Sequence, residues 1–243
     1  FKARISGYYT RIYDQSKVIS YYDDVAATFT NFAMSGIDKV HFGLEAAVSI
    51  PIYHTLALNG AVSWGQYTYD SNPYYLQTQD NSGDIVSDGY VYWKDFRVES
   101  TPQTAVNVGL SWRSNNNIYL SADFNYYNNM YLSMSPIYRT DAVITGGMAP
   151  GDIEHLRRQE KFDSAYTLNA SIGKNWYIHR KYTLGFSLDV KNILNNQDIK
   201  TGGYEQTRLS KNTETTVTTY QAFDSKYFYM FGTTYYLNLY FRF

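Results

Sequence analysis

"GTTYYLNLYFRF", residues 232–243, is the stretch on which the fold turns. Phe243, Phe241, Leu239, Leu237 and Tyr235 share one side of an extended strand, while Arg242, Tyr240, Asn238 and Tyr236 share the other. A period of two with one wholly apolar side describes a strand that is greasy on one face and wet on the other. Alone, such a segment would also suit an amphipathic strand of a soluble sandwich, so the remainder of the chain has to decide.

The alternation recurs. Strand candidates cover 2–20, 37–50, 55–70, 104–113, 117–133, 164–177, 182–197 and 227–243. Within 37–50, Val40, Phe42, Leu44, Ala46, Val48 and Ile50 alternate with His41, Gly43, Glu45, Ala47 and Ser49. Within 117–133, Ile118, Leu120, Ala122, Phe124 and Tyr126 oppose Tyr119, Ser121, Asp123, Asn125 and Tyr127. Within 182–197, Leu184, Phe186, Leu188 and Val190 oppose Ser187, Asp189 and Lys191. One face is continuously compatible with lipid, and the other carries acids, lysine and amides.

Connection lengths alternate too. Tight turns at "PIYH" (51–54), "RSNNN" (113–117) and "YIHRK" (177–181) are separated by long polar loops near 71–103, 134–163 and 198–226, with a shorter loop near 21–36. Loops of roughly 30 residues are uncommon in compact soluble domains. Short turns at one end and long loops at the other are the pattern of transmembrane β-barrels. Both chain ends and the three tight turns then lie on one side of a membrane, and the long loops on the other. Trp64, Trp112 and Trp176 fall at or near strand ends, where an aromatic girdle would sit, although each alone would suit ordinary packing. In hydrocarbon every backbone N–H and C=O must be paired. The outward stripe Phe243, Phe241 and Leu239 is therefore expected to finish a sheet, and to serve as the assembly signal read by the barrel-assembly machinery.

Composition agrees with this reading. The 21 basic and 22 acidic residues nearly cancel, and no basic stripe interleaves with the aromatics, which argues against a nucleic-acid surface. Mean hydropathy is −0.43 with no long apolar run, so no transmembrane helix is expected. The 27 tyrosines suit strands and membrane–water interfaces, where an apolar ring carries a wet hydroxyl. The absence of cysteine removes thiolate metal sites, cysteine nucleophiles and disulfides together. "FKARISGYYTRIYD" opens already inside a strand-like pattern, so the numbered chain is expected to be a mature or truncated piece.

Two segments are more specific. "SLDVKNILNNQDIKTGGYEQTR" (187–208) and "KYFYMFGTTYYLNLYFRF" (226–243) together resemble the end of SusC-like TonB-dependent transporters. The resemblance rests on Asn192, Leu194 and Asn195 at a strand end, then Gly202, Gly203, Tyr204, Glu205, Gln206 and Arg208, then the aromatic finish. "YYTRIYDQSKVI" (8–19) resembles a strand of that family more loosely. The resemblance implies a 22-stranded barrel with an N-terminal plug in the outer membrane of a Gram-negative, Bacteroidota-type bacterium. It also implies energy from the TonB complex, reached through the missing N-terminal part, and a SusD-like surface lipoprotein as lid. Residues 1–243 are then the C-terminal part of the barrel, an all-β antiparallel transmembrane segment of about eight strands, without plug or TonB box.

The expected function is active import of oligosaccharides or oligopeptides, with no chemistry in this chain. The alternative is a complete eight-stranded outer-membrane barrel, OmpA- or OmpX-like, with a structural or adhesive role. A secreted carbohydrate-binding sandwich would leave the one-sided loops unexplained. Enzyme motifs are absent, and His41, His54, His155 and His179 lie on separate segments without ligand spacing. No cofactor is expected. "DNSGD" (80–84) is better explained as a Gly/Asn turn than as a calcium loop, since the full EF-hand spacing and its terminal Glu are missing, with loop calcium as the alternative. Tyr74, Tyr75, Tyr90, Tyr92, Trp93 and Phe96 are candidates for contact with substrate or lid, near Gln77, Asp88 and Asp95. Equally, these rings would pack the loops together. "GDIEHLRRQEKF" (151–162) reads as a charged, briefly helical loop segment, and Tyr204, Glu205 and Arg208 as a loop brace.

Overall fold

A computed structural model describes residues 1–24, 26–99, 101–146, 150–179, 181–212 and 219–243. The strands are β1 (Lys2–Asp23), β2 (Thr28–Tyr53), β3 (Leu56–Tyr69), β4 (Tyr74–Gln79), β5 (Ile85–Tyr90), β6 (Thr104–Arg113), β7 (Ile118–Asn128), β8 (Ala165–Ile178), β9 (Tyr182–Lys191), β10 (Lys200–Tyr204), β11 (Leu209–Asn212), β12 (Thr219–Ala222), β13 (Lys226–Tyr229) and β14 (Thr234–Arg242). Two short helices, α1 (Asp141–Ile144) and α2 (Pro150–Arg157), lie between β7 and β8.

Eight strands form an antiparallel wall in the order β1–β2–β3–β6–β7–β8–β9–β14. Its register carries the two-residue period from strand to strand. Ile50, Leu58, Leu110, Ala122, Ala170, Val190 and Tyr235 are successive cross-strand partners in one row. One residue along, Ser111, Ser121, Ser171, Asp189 and Tyr236 form a row on the opposite face. A slip of one residue in any pair would interleave these two sets. Among the described residues nothing covers the apolar face: Leu44 is 57% exposed, Leu110 47% and Leu237 59%.

The polar face is tied by side chains. Asn107 donates to Asn125 (2.8 Å), Ser121 and Ser171 share a hydrogen bond (2.7 Å), and Asn59 donates to Ser111 (3.2 Å). Tyrosines lie flat over glycines of the adjacent strand. A Cβ at Gly173 would stand 2.1 Å from the Tyr119 ring, and one at Gly185 2.4 Å from that of Tyr240. The glycine thus supplies the slot in which the ring lies, and the ring covers backbone that glycine leaves bare.

Four sequence expectations change at the loop end. The segment 21–36 is largely strand, because β1 runs on to Asp23 and β2 restarts at Thr28. Paired register shifts around Asp14 (φ 53) and Gly36 (φ 72) reset the alternation, so Phe32 and Met34 are buried with Ile37. Above this point β3 has departed and β4 takes its place beside β2, carrying β5 with it. The expected strand 227–243 is two elements, β13 in a small sheet with β10, and β14 in the wall. The expected strands 117–133 and 182–197 end at Asn128 and Lys191. The long loops hold hairpins and helices, and their main core (Tyr21, Phe32, Tyr69, Tyr75, Trp93 and Tyr138 among its members) sits at this end of the wall.

Both chain ends lie at the opposite end, with the ends of the β2–β3, β6–β7 and β8–β9 pairs at Tyr53 and Leu56, Arg113 and Ile118, and Ile178 and Tyr182, since Lys2 pairs with Ser49 and Arg242 with Thr183. Among the described residues β1 pairs only with β2 and β14 only with β9, so the sheet does not close.

Gly173→Ala should displace the Tyr119 ring and destabilise the wall by about 1–3 kcal/mol. The cost should shrink when Tyr119 is already Ala, which a double-mutant comparison of unfolding midpoints checks.

Candidate functional site: the loop assembly

The loop assembly is organised around a buried ion pair. Arg139, fully buried as the last residue of the 3-10 turn Ile137–Arg139, grips both carboxylate oxygens of Glu205, at 2.5 and 2.9 Å. Glu205 also accepts the Ser135 N–H (2.8 Å), and Arg139 donates to the Ser135 carbonyl (2.9 Å). Such a fork-to-fork pair fixes orientation as well as distance. It joins the 134–163 loop to the "TGGYEQTR" segment, and backbone bonds extend the seam: Ser133 N–H donates to the Gly203 carbonyl and Glu205 N–H to that of Ser133. Gly203 (φ 151) has no room for a side chain, because a Cβ would stand 2.2 Å from the Lys226 carbonyl.

The other resemblance residues knit the same region. Arg208 donates twice to Asp24 (3.0 and 3.1 Å), tying the β1–β2 turn to the last loop. Gln206 donates to the Asp224 carbonyl (2.6 Å), Gly202 pairs with Phe228, and Tyr204 is exposed beside the Phe228 ring. Below them Asn192 (φ 51), buried, donates to the Asn196 and Phe231 carbonyls and receives a bond from the Asn196 N–H. The Asn195 carboxamide accepts the Thr233 N–H, and Leu194 is exposed. These asparagines fasten the end of β9 to the start of β14. Phe241 and Leu239 lie exposed on the apolar face of β14, with Phe241 stacked between Tyr182 and Phe243.

The aromatic candidates divide. Tyr75 and Trp93 are buried, Tyr75 stacked on Phe32 (4.6 Å) and Trp93 against Tyr69 (4.7 Å), and Phe96 packs under Arg139. Tyr74 and Tyr90 are exposed and meet edge to face at 5.6 Å. The Tyr74 hydroxyl donates to Asp88, which holds its pKa above the usual tyrosine value. Tyr92 is half-buried, and a hydrogen bond to Asp141 raises its pKa too. Burial pushes the Tyr138 hydroxyl up to about 12, and it donates to the Arg208 carbonyl. The 80–84 segment is the β4–β5 turn, with Gly83 at φ 73 and Ser82 bonded to Asp84. Among the described residues no group of three or more His, Cys, Asp or Glu side chains stands ready to hold a metal.

A cleft of about 500 Å³ opens among Leu132, Tyr138, His155, Glu160, Glu205 and Tyr227. Glu160 closes part of it, bound to Lys200 (3.0 Å) and receiving the Tyr227 hydroxyl (2.7 Å). Burial works against the Lys200 ammonium, but Glu160 outweighs it and raises the Lys200 pKa. Arg139, Ser135, Asp24, Glu160 and Lys200 were not singled out from sequence. Their partners lie up to 184 residues away, and no periodicity marks them. The one signal available was Arg139 itself, a lone cation in the mostly uncharged run "LSMSPIYRT".

Comparison with protein-family models, with curated proteins and with solved structures returns no match.

Removing one partner of the Arg139–Glu205 pair leaves a buried charge alone, so Arg139→Met or Glu205→Leu should each cost about 3–5 kcal/mol. The double substitution should cost less than either one. Thermal unfolding, together with protease sensitivity of the 134–163 and 198–226 loops, reads out both effects.

Proposed function

We propose that this chain forms barrel wall and extracellular loops of an outer-membrane importer, SusC-like and TonB-energised, that takes up oligosaccharides or oligopeptides. The observation that carries the reading is the eight-stranded wall with one uncovered apolar face, one hydrogen-bonded polar face, and its long connections all at one end. A soluble protein rarely leaves so large an apolar surface bare. Hydrocarbon covers it at no cost, and the alternating stretch Ile118–Tyr126 of β7 matches the span of about nine to eleven residues that a tilted strand needs. Trp112 and Trp176 lie toward the tight-turn end and Trp64 toward the loop end, where the two interfaces would fall.

The unpaired edges favour a larger barrel over the small closed one. An open edge strand in lipid leaves unsatisfied N–H and C=O groups, so β1 and β14 call for further strands. The SusC-like resemblance supplies the rest of the proposal: a plug and TonB contact from the N-terminal part, a SusD-like lipoprotein over the loops, and insertion by the assembly machinery through the Phe243, Phe241 and Leu239 stripe. In this reading the exposed Tyr74 and Tyr90 are the aromatic groups of the 71–103 segment open to substrate or lid. The buried Tyr75 and Trp93 hold that segment in place.

The test is uptake of labelled oligosaccharides and oligopeptides by cells with and without the full-length protein, and with TonB disabled. Uptake that requires both is the expected result. Uptake indifferent to TonB would contradict the importer reading. Tyr74→Ala with Tyr90→Ala should lower uptake or lipoprotein binding while leaving membrane abundance unchanged.

A further inference from the structure

The loop cleft contains cations that the fold does not use. Part of its lining is the segment 158–161, whose backbone and neighbouring side chains are held from several directions. The Gln159 side chain bonds both the N–H and the carbonyl of Arg97, at 2.9 and 2.7 Å. Leu132 N–H donates to the Glu160 carbonyl, Phe162 N–H to that of Met130, and Arg139 reaches the Arg158 carbonyl. Phe162 itself is buried beside Met130 and Leu132.

The two carboxylates whose ion pairs border the cleft are neutralised within the fold, Glu160 by Lys200 and Tyr227, and Glu205 by Arg139. The Arg158 and Lys161 side chains, which also line it, are exposed and make no hydrogen bond or ion pair among the described residues. His155 is exposed at the same cleft, and among the described residues Asp224 is the one lining carboxylate outside these pairs. The C-terminal end of α2 favours nearby cations. That accounts for His155 and Arg158 but not for Lys161, which stands beyond the helix on a clamped strand-like segment bridged to Tyr131.

We propose that this cleft binds the anionic group of an oligomeric ligand, a carboxylate or sulfate held by Arg158 and Lys161. The inference rests on the importer reading and names the chemistry its substrate would carry. A guanidinium offers a planar fork to an oxyanion and an ammonium a mobile point charge, so the two complement each other around one group. The held backbone keeps their stems in place before the ligand arrives, which lowers the ordering cost of binding. The cleft volume is that of an ordinary small-ligand site, about 300–1,000 Å³. The same anionic chemistry occurs on uronate or sulfated saccharides and on acidic peptides, so the probes must separate these sources.

The experiment is calorimetric titration of the purified full-length protein with trigalacturonate, a sulfated trisaccharide, triglutamate and neutral maltotriose. The expected result is that at least one anionic probe binds, more weakly as salt rises. Arg158→Ala with Lys161→Ala should lower its affinity at least tenfold while the unfolding midpoint stays unchanged. Which probe binds identifies the source. Preference for maltotriose, no binding of any anionic probe, or anion binding unaffected by the double substitution would overturn the inference. TonB-dependent uptake of a neutral oligomer alongside any of those outcomes would leave the importer reading standing. Loss of TonB dependence would remove that reading instead.

Discussion

Cross-strand register is the constraint on which the rest of the structure depends. Each wall strand finds its backbone partners only at a pairing that also sorts its side chains, apolar to one face and polar to the other. Pairing and sorting are one choice, because the side-chain period is two. Polar groups reinforce that choice from the polar face. The Asn107–Asn125 and Ser121–Ser171 bonds, and the seating of Tyr119 over Gly173, exist in one register only. The apolar face has side-chain ties toward the loop end, Arg11 with Asp70 and Ser20 with Asn31. It supplies surface, left bare for whatever medium surrounds the wall.

The loops solve a different problem. Segments far apart in sequence must be held over one end of a sheet without a long hydrophobic repeat to guide them. A buried fork-to-fork pair, Arg139 with Glu205, joins two of them, and Arg208 with Asp24 joins the first turn to the last loop. The asparagines 192 and 195 fix where β9 stops and β14 begins. Aromatic rings fill the space between, which is why Tyr75 and Trp93 are inside while their neighbours Tyr74 and Tyr90 remain outside.

The wall was legible in the sequence because alternation is a local signal. The Leu184–Val190 and Ile118–Tyr126 patterns are visible without any knowledge of partners, and the eight strands they suggested form the wall. The β1–β2 extension was not legible. Its paired bulges at Asp14 and Gly36 break the period, so Phe32 and Met34 fall out of phase with Val40 and Phe42 although all four belong to one strand. The break before β14 was hidden for the opposite reason, since "KYFYMFGTTYY" stays aromatic through the turn. The loop pairs were illegible because a salt bridge leaves no trace in spacing. Glu205 stood out only through a motif, and Arg139 through nothing but its uncharged surroundings.

The central claim is that the apolar face of the wall meets lipid and the polar face meets water. The chain has no cysteine, so single cysteines can carry spin labels at Phe186, Leu188, Ser187 and Asp189 without background from these residues. In the intact protein reconstituted in bilayers, labels at Phe186 and Leu188 should be relaxed by oxygen, which concentrates in hydrocarbon. Labels at Ser187 and Asp189 should respond instead to a water-soluble nickel chelate. Reversed phase, or equal water accessibility at all four positions, would contradict the account.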